Sequence, residues 1–143
     1  MRVLGVDFGQ RRLGLALSDH TGTLARPWQT VPAGPTPAAS ADAVARLMAD
    51  ARARDEDEAV GAIVVGLPRR LSGEDTDQSQ PAREFAARLA ALTGLDVQLQ
   101  DERLTSREAE SRLAVREKDW RRRKAQIDAA AAAIILQDYL DRG

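Results

Sequence analysis

The sequence predicts an α/β fold, and three stretches carry that expectation. Met1 to Asp19 reads as two short apolar strands joined by a basic turn. Ala62 to Val65 is a continuous apolar run between two helical patterns, the signature of a strand buried on both faces. Ala125 to Leu140 is alanine-rich and strongly helix-favouring.

Taken in order, Arg2 to Phe8 is a strand because Val3, Leu4 and Val6 are apolar and the run is too short for a stable helix. Leu13 to Leu17 is its hairpin partner across Gly9-Gln10-Arg11-Arg12. Asp7 stands at the end of the first strand, and Gly9 is read as leaving room for a ligand or metal beside it. A turn-forming role for Asp7 explains this stretch equally well. Leu24 to Val31 suits an edge strand, since Pro27 cannot donate to a ladder. After Pro32 to Pro37, the segment Ala38 to Ala53 spaces Ala39, Val44, Leu47, Met48 and Ala51 as one helical stripe. Asp55 to Glu58 is a solvated acidic run at a helix end or in a loop.

Pro68 to Ser79 is polar, has no apolar period and is expected as a surface loop at the carboxyl end of the buried strand, where open α/β sheets place ligands. Gln80 to Leu92 is the next helix, closed by Thr93-Gly94. Asp96 to Gln100 is a short strand followed by Asp101 and Glu102, and Thr105 or Ser106 can cap a helix starting near Arg107. Asp101 has a structural alternative as an ion-pair partner of a nearby arginine. In the last segment Asp128 precedes eight apolar residues. It is either a first-turn carboxylate favouring the helix dipole or, if the helix starts earlier, a costly charge on the face of Ala131, Ala132 and Ile135. In the second case the alanines let the helix approach the sheet closely and bring Asp128 near Asp7.

Composition removes several chemistries. At 143 residues, 43% hydrophobic and 30% charged, the chain fits a single domain over residues 1–143. It has no cysteine and one histidine, His20, so thiolate sites, disulfides and histidine-based triads have nothing to be built from. No stretch reaches the roughly 18 apolar residues of a membrane span, and the N-terminus lacks a signal-peptide pattern, which together predict a cytoplasmic protein. The net charge of −1 is segregated: Arg103 to Lys124 holds nine basic and four acidic residues, a local +5. A basic segment on an otherwise acidic chain is the footprint of a polyanion partner, although a solvated helix laced with ion pairs looks similar. Trp120 beside Arg121-Arg122-Arg123-Lys124 is either a base-stacking side chain or a core anchor.

Four motifs then line up. Val6-Asp7-Phe8-Gly9, Gly66-Leu67-Pro68 with Gly73 and Glu74, Asp101-Glu102-Arg103-Leu104-Thr105-Ser106, and Ile127-Asp128-Ala129-Ala130-Ala131 with Ile135-Leu136-Gln137 together resemble the YqgF/RuvX family of RuvC-like nucleases. The resemblance spans nearly the whole chain in order, and only Leu24 to Ala59 carries nothing specific to the family. It implies an RNase H-like fold: a mixed central sheet with three leading antiparallel strands and helices on both faces. It also implies a metal-dependent nuclease acting on RNA, DNA or both, in precursor ribosomal RNA processing or Holliday-junction resolution.

Residue by residue, the resemblance assigns Asp7, Glu102 and Asp128 as catalytic, metal-holding carboxylates. They would hold two Mg2+ or Mn2+ ions roughly 3.5–4 Å apart, with Asp7 bridging them. Should Asp128 fail, Asp19, Glu74 and Asp75 are the alternatives. Expected nucleic-acid contacts are Arg11, Arg12, Arg69, Arg70, Arg103, Arg107, Arg121, Arg122, Arg123 and Lys124. A homodimer stays open as a further partner. Two other classes compete: an actin-like ATPase domain, which needs a duplicated second half, and a catalytically silent RNase H-like scaffold, which retention of all three carboxylates disfavours.

Overall fold

The computed structural model describes residues 1–55, 59–69, 72–101 and 120–142, with the backbone alone for 120–128. Its strands are β1 (Arg2–Phe8), β2 (Arg12–Ser18), β3 (Ala25–Pro32), β4 (Val60–Leu67) and β5 (Asp96–Asp101). Its helices are α1 (Pro37–Arg54), α2 (Ser79–Thr93) and α3 (Trp120–Arg142). The strands form one sheet in the order β3-β2-β1-β4-β5. The pairs β1–β2 and β2–β3 are antiparallel, and β1–β4 and β4–β5 are parallel. This is the mixed sheet with three leading antiparallel strands that was expected.

Local chemistry sets the boundaries. Thr36 caps α1 by accepting the Ala39 N–H at 3.1 Å, and Pro37 follows where a missing N–H costs nothing. Gly94 ends α2 at φ +70°, and its N–H reaches the Ala90 carbonyl at 2.8 Å. Buried Ser79 accepts the Thr76 N–H at 2.8 Å and donates to the Pro68 carbonyl, fastening the loop after β4 to the start of α2. Pro27 lies on edge strand β3 beside a bulge: Pro27 pairs with Ala16 and Gln29 with Leu15, so Trp28 is the extra residue.

The two faces of the sheet differ in bulk. Leu4, Val6, Phe8, Leu13, Leu15, Leu17, Ile63, Val65 and Leu67 meet α1 and α2 through Ala41, Val44, Ala82, Phe85, Ala86 and Leu89. The rings of Phe8 and Phe85 lie 5.0 Å apart. The opposite face offers Val3, Ala16, Ala62 and Val64 to Ala132, Ile135 and Leu136 of α3. Gly5 sits under this helix, where an added Cβ would come within 2.7 Å of the Leu136 Cβ and 3.0 Å of the Ala132 carbonyl oxygen. The close approach expected of the alanines is therefore present, and it needs the glycine as well.

Candidate active site

Asp7 is half-buried at the carboxyl end of β1, the central strand. Its cross-strand partners are Gly14 on β2 and Gly66 on β4, and Gly66 pairs in turn with Gln100 on β5. Paired residues share a face, so Gly14, Asp7, Gly66 and Gln100 form one row. Alternation puts that row on the side of Val3, Ala16 and Val64, which is the side α3 covers. Neither residue paired directly with Asp7 carries a side chain.

Gly9 turns out to serve the hairpin. A Cβ at Gly9 would come within 2.4 Å of the Arg12 carbonyl oxygen, so its bareness is spent on the tight turn. The glycines that flank the carboxylate are Gly14 and Gly66, which sequence reading missed because the pairing is non-local.

α3 runs antiparallel to β1. Its C-terminal residues Tyr139 and Leu140 share a surface groove with Met1 and Val3, while Ala132 and Leu136 lie over Gly5. Position 128 is one turn before Ala132, about 6 Å nearer the carboxyl end of β1, and Asp7 lies about 7 Å beyond Gly5 in the same direction. The α3 backbone is helical from Trp120, so Asp128 is not in the first turn. The dipole alternative for it is thereby removed.

On β5 the register separates two neighbouring acids. Asp101 pairs with Leu67 and takes the alternation of Val97 and Leu99, the face opposite Asp7. Glu102 lies outside the described residues, as do Arg70, Arg103, Arg107 and the cap at Thr105 or Ser106. The side chains of Trp120, Arg121, Arg122, Arg123, Lys124 and Asp128 also lie outside them. Among the described residues no three Asp, Glu or His side chains converge on one point.

Two alternative ligands are engaged elsewhere. Asp19 stands after β2, at the far end of the sheet from Asp7, and accepts from Thr21 Oγ1 at 2.6 Å and from the Thr23 and Leu24 N–H groups at 2.8 and 3.1 Å. Those bonds hold its carboxyl well below the usual carboxylate range. Asp75 takes Arg83 at 2.6 and 3.0 Å, and Arg69 approaches it at 3.7 Å. The hydrogen bond and charge of Arg83 lower its pKa too. Arg69, expected at nucleic acid, thus faces an internal carboxylate. Arg11 is exposed at the hairpin tip, and Arg12 shares the Gly14 face, diagonal to Asp7.

A groove of about 580 Å3 between the C-terminal halves of α1 and α2 includes Met48, Val60, Leu92 and Leu95 and has no carboxylate in its lining.

A mixed sheet with a carboxylate closing its central strand and helices on both faces defines the RNase H-like class. Thermus thermophilus RuvC, solved in complex with a Holliday junction substrate, matches this fold at a TM-score of 0.54 and 15% identity, over 99% of this chain and 94% of that one. The family model described as "RuvX: Holliday junction resolvase" matches residues 1–142. A protein of Anaeromyxobacter sp. (strain K) named "Putative pre-16S rRNA nuclease" is 46% identical over 142 residues, covering 99% of this chain and 98% of the relative. One of Clavibacter michiganensis subsp. michiganensis (strain NCPPB 382), with the same name, is 45% identical over 138 residues, covering 96% and 81%. The chain belongs to the RuvX family, a family of nucleases that hydrolyse phosphodiester bonds. No described helix is long and apolar enough to cross a membrane.

Proposed function

We propose that this chain is a divalent-metal-dependent nuclease acting in the cytoplasm as a single catalytic domain, with Asp7, Glu102 and Asp128 as its metal-holding carboxylates. The observation that carries this reading is the row Gly14–Asp7–Gly66–Gln100 lying under α3, which runs back toward Asp7 with Asp128 one turn beyond Ala132. Glu102 is preferred over Asp101 because the next residue in the alternation of Gln100 is 102, whereas Asp101 belongs to the other face. An all-carboxylate donor set suits Mg2+ or Mn2+, which take oxygen ligands and need neither histidine nor cysteine.

Bound divalent ions supply a nucleophile from water at neutral pH and positive charge for the departing oxygen. The chain's own part is to hold them: Asp7 from the sheet, Asp128 from the helix and Glu102 beyond the end of β5. Arg11 and Arg12 hold flanking phosphates from the hairpin. The basic segment from Arg103 to Lys124 tracks the backbone of the nucleic acid. Precursor 16S ribosomal RNA is the first substrate to try, since relatives at 46% identity carry that name; a four-way DNA junction is the second, from the family's description.

The test is cleavage of both substrates with Mg2+ or Mn2+. Asp7→Asn, Glu102→Gln and Asp128→Asn should each lower the rate by about 10^3-fold or more, roughly 4 kcal/mol of transition-state stabilisation. Folding and substrate binding should persist. Asp101→Asn should retain most activity, and its inactivation with Glu102→Gln intact would shift the assignment by one residue. For the basic segment, alanine at Arg121, Arg122 and Arg123 should flatten log affinity against log salt by up to about 0.9 per lost phosphate contact on duplex. An unchanged slope returns those arginines to a solvated helix.

A further inference from the structure

We infer that Gln100 is a positioning residue of the carboxylate site, tying β5 to α3 and so setting the spacing between the end of β5 and the helix that carries Asp128. The inference rests on the proposed carboxylate set. Gln98 and Leu99 are exposed on this edge strand, whereas Gln100 is buried at 8% exposure. An amide is buried in a sheet at a cost unless it is bonded. Gln100 Nε2 donates to Asp138 Oδ2 at 2.6 Å and lies 3.4 Å from the Ile135 carbonyl oxygen. The first of these is a charge-assisted bond, the strong kind. Arg142 holds the same Asp138 oxygen at 3.1 Å from one turn further along the helix.

Among the described residues, buried apolar packing does not make this connection. The described cluster beneath α3 draws its buried strand residues from β1, β2 and β4, as Val3, Ala16, Ala62 and Val64, and none from β5. On its other side α3 is fixed by Gln137, which accepts the Ala25 N–H at 2.9 Å and donates to the Thr23 carbonyl at 3.0 Å. Adjacent residues 137 and 138 therefore secure the helix toward β3 and toward β5. Asp138 is about 15 Å along the axis from position 128, so a small tilt at the anchor is carried to the carboxylate end of a rigid helix. Gln100 also shares its row with Asp7 and lies two residues before Glu102.

Direct Mn2+ binding to the protein without nucleic acid, followed by electron paramagnetic resonance of free Mn2+, reads this role apart from activity. Gln100→Leu should weaken Mn2+ about 10-fold, the usual size of an outer-shell loss. Half-saturating Mn2+ for cleavage should rise by the same factor, with the rate at saturating Mn2+ kept. Asp138→Ala removes the same bond from the exposed side of α3, with little risk to folding, and should do the same. Asp138→Asn keeps an acceptor for Nε2 and should restore wild-type affinity. A lower melting temperature with unchanged Mn2+ affinity in both Gln100→Leu and Asp138→Ala overturns the inference and leaves a structural tie. A wild-type protein that binds no Mn2+ would instead sink the carboxylate reading itself.

Discussion

The two faces of the sheet are built by opposite rules. Toward α1 and α2, the buried residues of β1, β2 and β4 are leucine, valine, isoleucine and phenylalanine, and they meet Val44, Phe85 and Leu89 as well as alanines. Toward α3 the same strands offer Gly5, Gly14, Ala16, Ala62 and Gly66 beside Val3 and Val64, and the helix meets them with Ala132, Ile135 and Leu136. Bulk maximises the apolar area removed from water, which is what stability needs. Small residues give up some of that area and let a helix backbone approach the strands, which is what a carboxylate shared between helix and sheet needs. With the proposed carboxylate set, the difference teaches that stability and site geometry are assigned to different faces of one set of strands.

The largest effect that tests this division is on the bulky face. Phe85 is fully buried and packs on Phe8, so Phe85→Ala should cost about 3–5 kcal/mol of unfolding free energy by transfer and cavity terms. Denaturant melts measure the loss. Well below the melting temperature, cleavage per folded molecule should stay near wild type, and a collapse of activity there would mean that the division between faces is false.

On the other face Gly5→Ala is the smaller insult to stability and the larger one to function. The new methyl meets the Leu136 Cβ at 2.7 Å and the Ala132 carbonyl oxygen at 3.0 Å, so α3 must shift outward. Overpacking of this kind costs about 1–3 kcal/mol. Because the displaced helix carries Asp128, cleavage should fall by more than the stability loss explains. Equal activity in Gly5→Ala and wild type, measured where both are folded, would show that the close approach is not needed for the chemistry.

How far this division was legible follows from which signals are local. The apolar run before Asp7, the stripe of α1 and the glycine ending α2 depend on residues within one turn or strand, and each element appeared near its expected place. β4 is longer than its apolar run of Ala62 to Val65 because Val60, Gly66 and Leu67 are held by neighbouring strands. Alternation puts Asp101 on the face of Val97 and Leu99 but could not say whether that face meets Asp7, since a sheet covered on both sides buries both. Only the register Asp7–Gly66–Gln100 across three strands settles it. The same non-locality hid Gly14, Gln100 and the place of the motif residue Gly66 beside Asp7, and drew attention to Gly9, whose neighbourhood is its own turn.

The smallest predicted effect concerns a strand-terminal aspartate at the opposite end of the sheet from Asp7. Asp19 closes β2 at the far end of the sheet, and its oxygens are taken by Thr21, Thr23 and Leu24 of the following turn. This is the turn-forming role that fitted Asp7 equally well from local sequence. Its folded pKa is depressed, first by the Thr21 hydroxyl and then by the two backbone N–H groups. The sign follows: a carboxylate that ionises more readily folded than unfolded contributes stability in full above its unfolded pKa, and loses it as pH falls through the folded value. Asp19→Asn should therefore melt slightly below wild type at neutral pH, by less than either core variant. That gap should close as the medium is acidified below the ordinary aspartate range. Cleavage at neutral pH should be unaffected, because this turn lies at the other end of β1 from Asp7. A melting gap that stays constant down to strong acid would show that the turn is held by shape and not by the charge of Asp19.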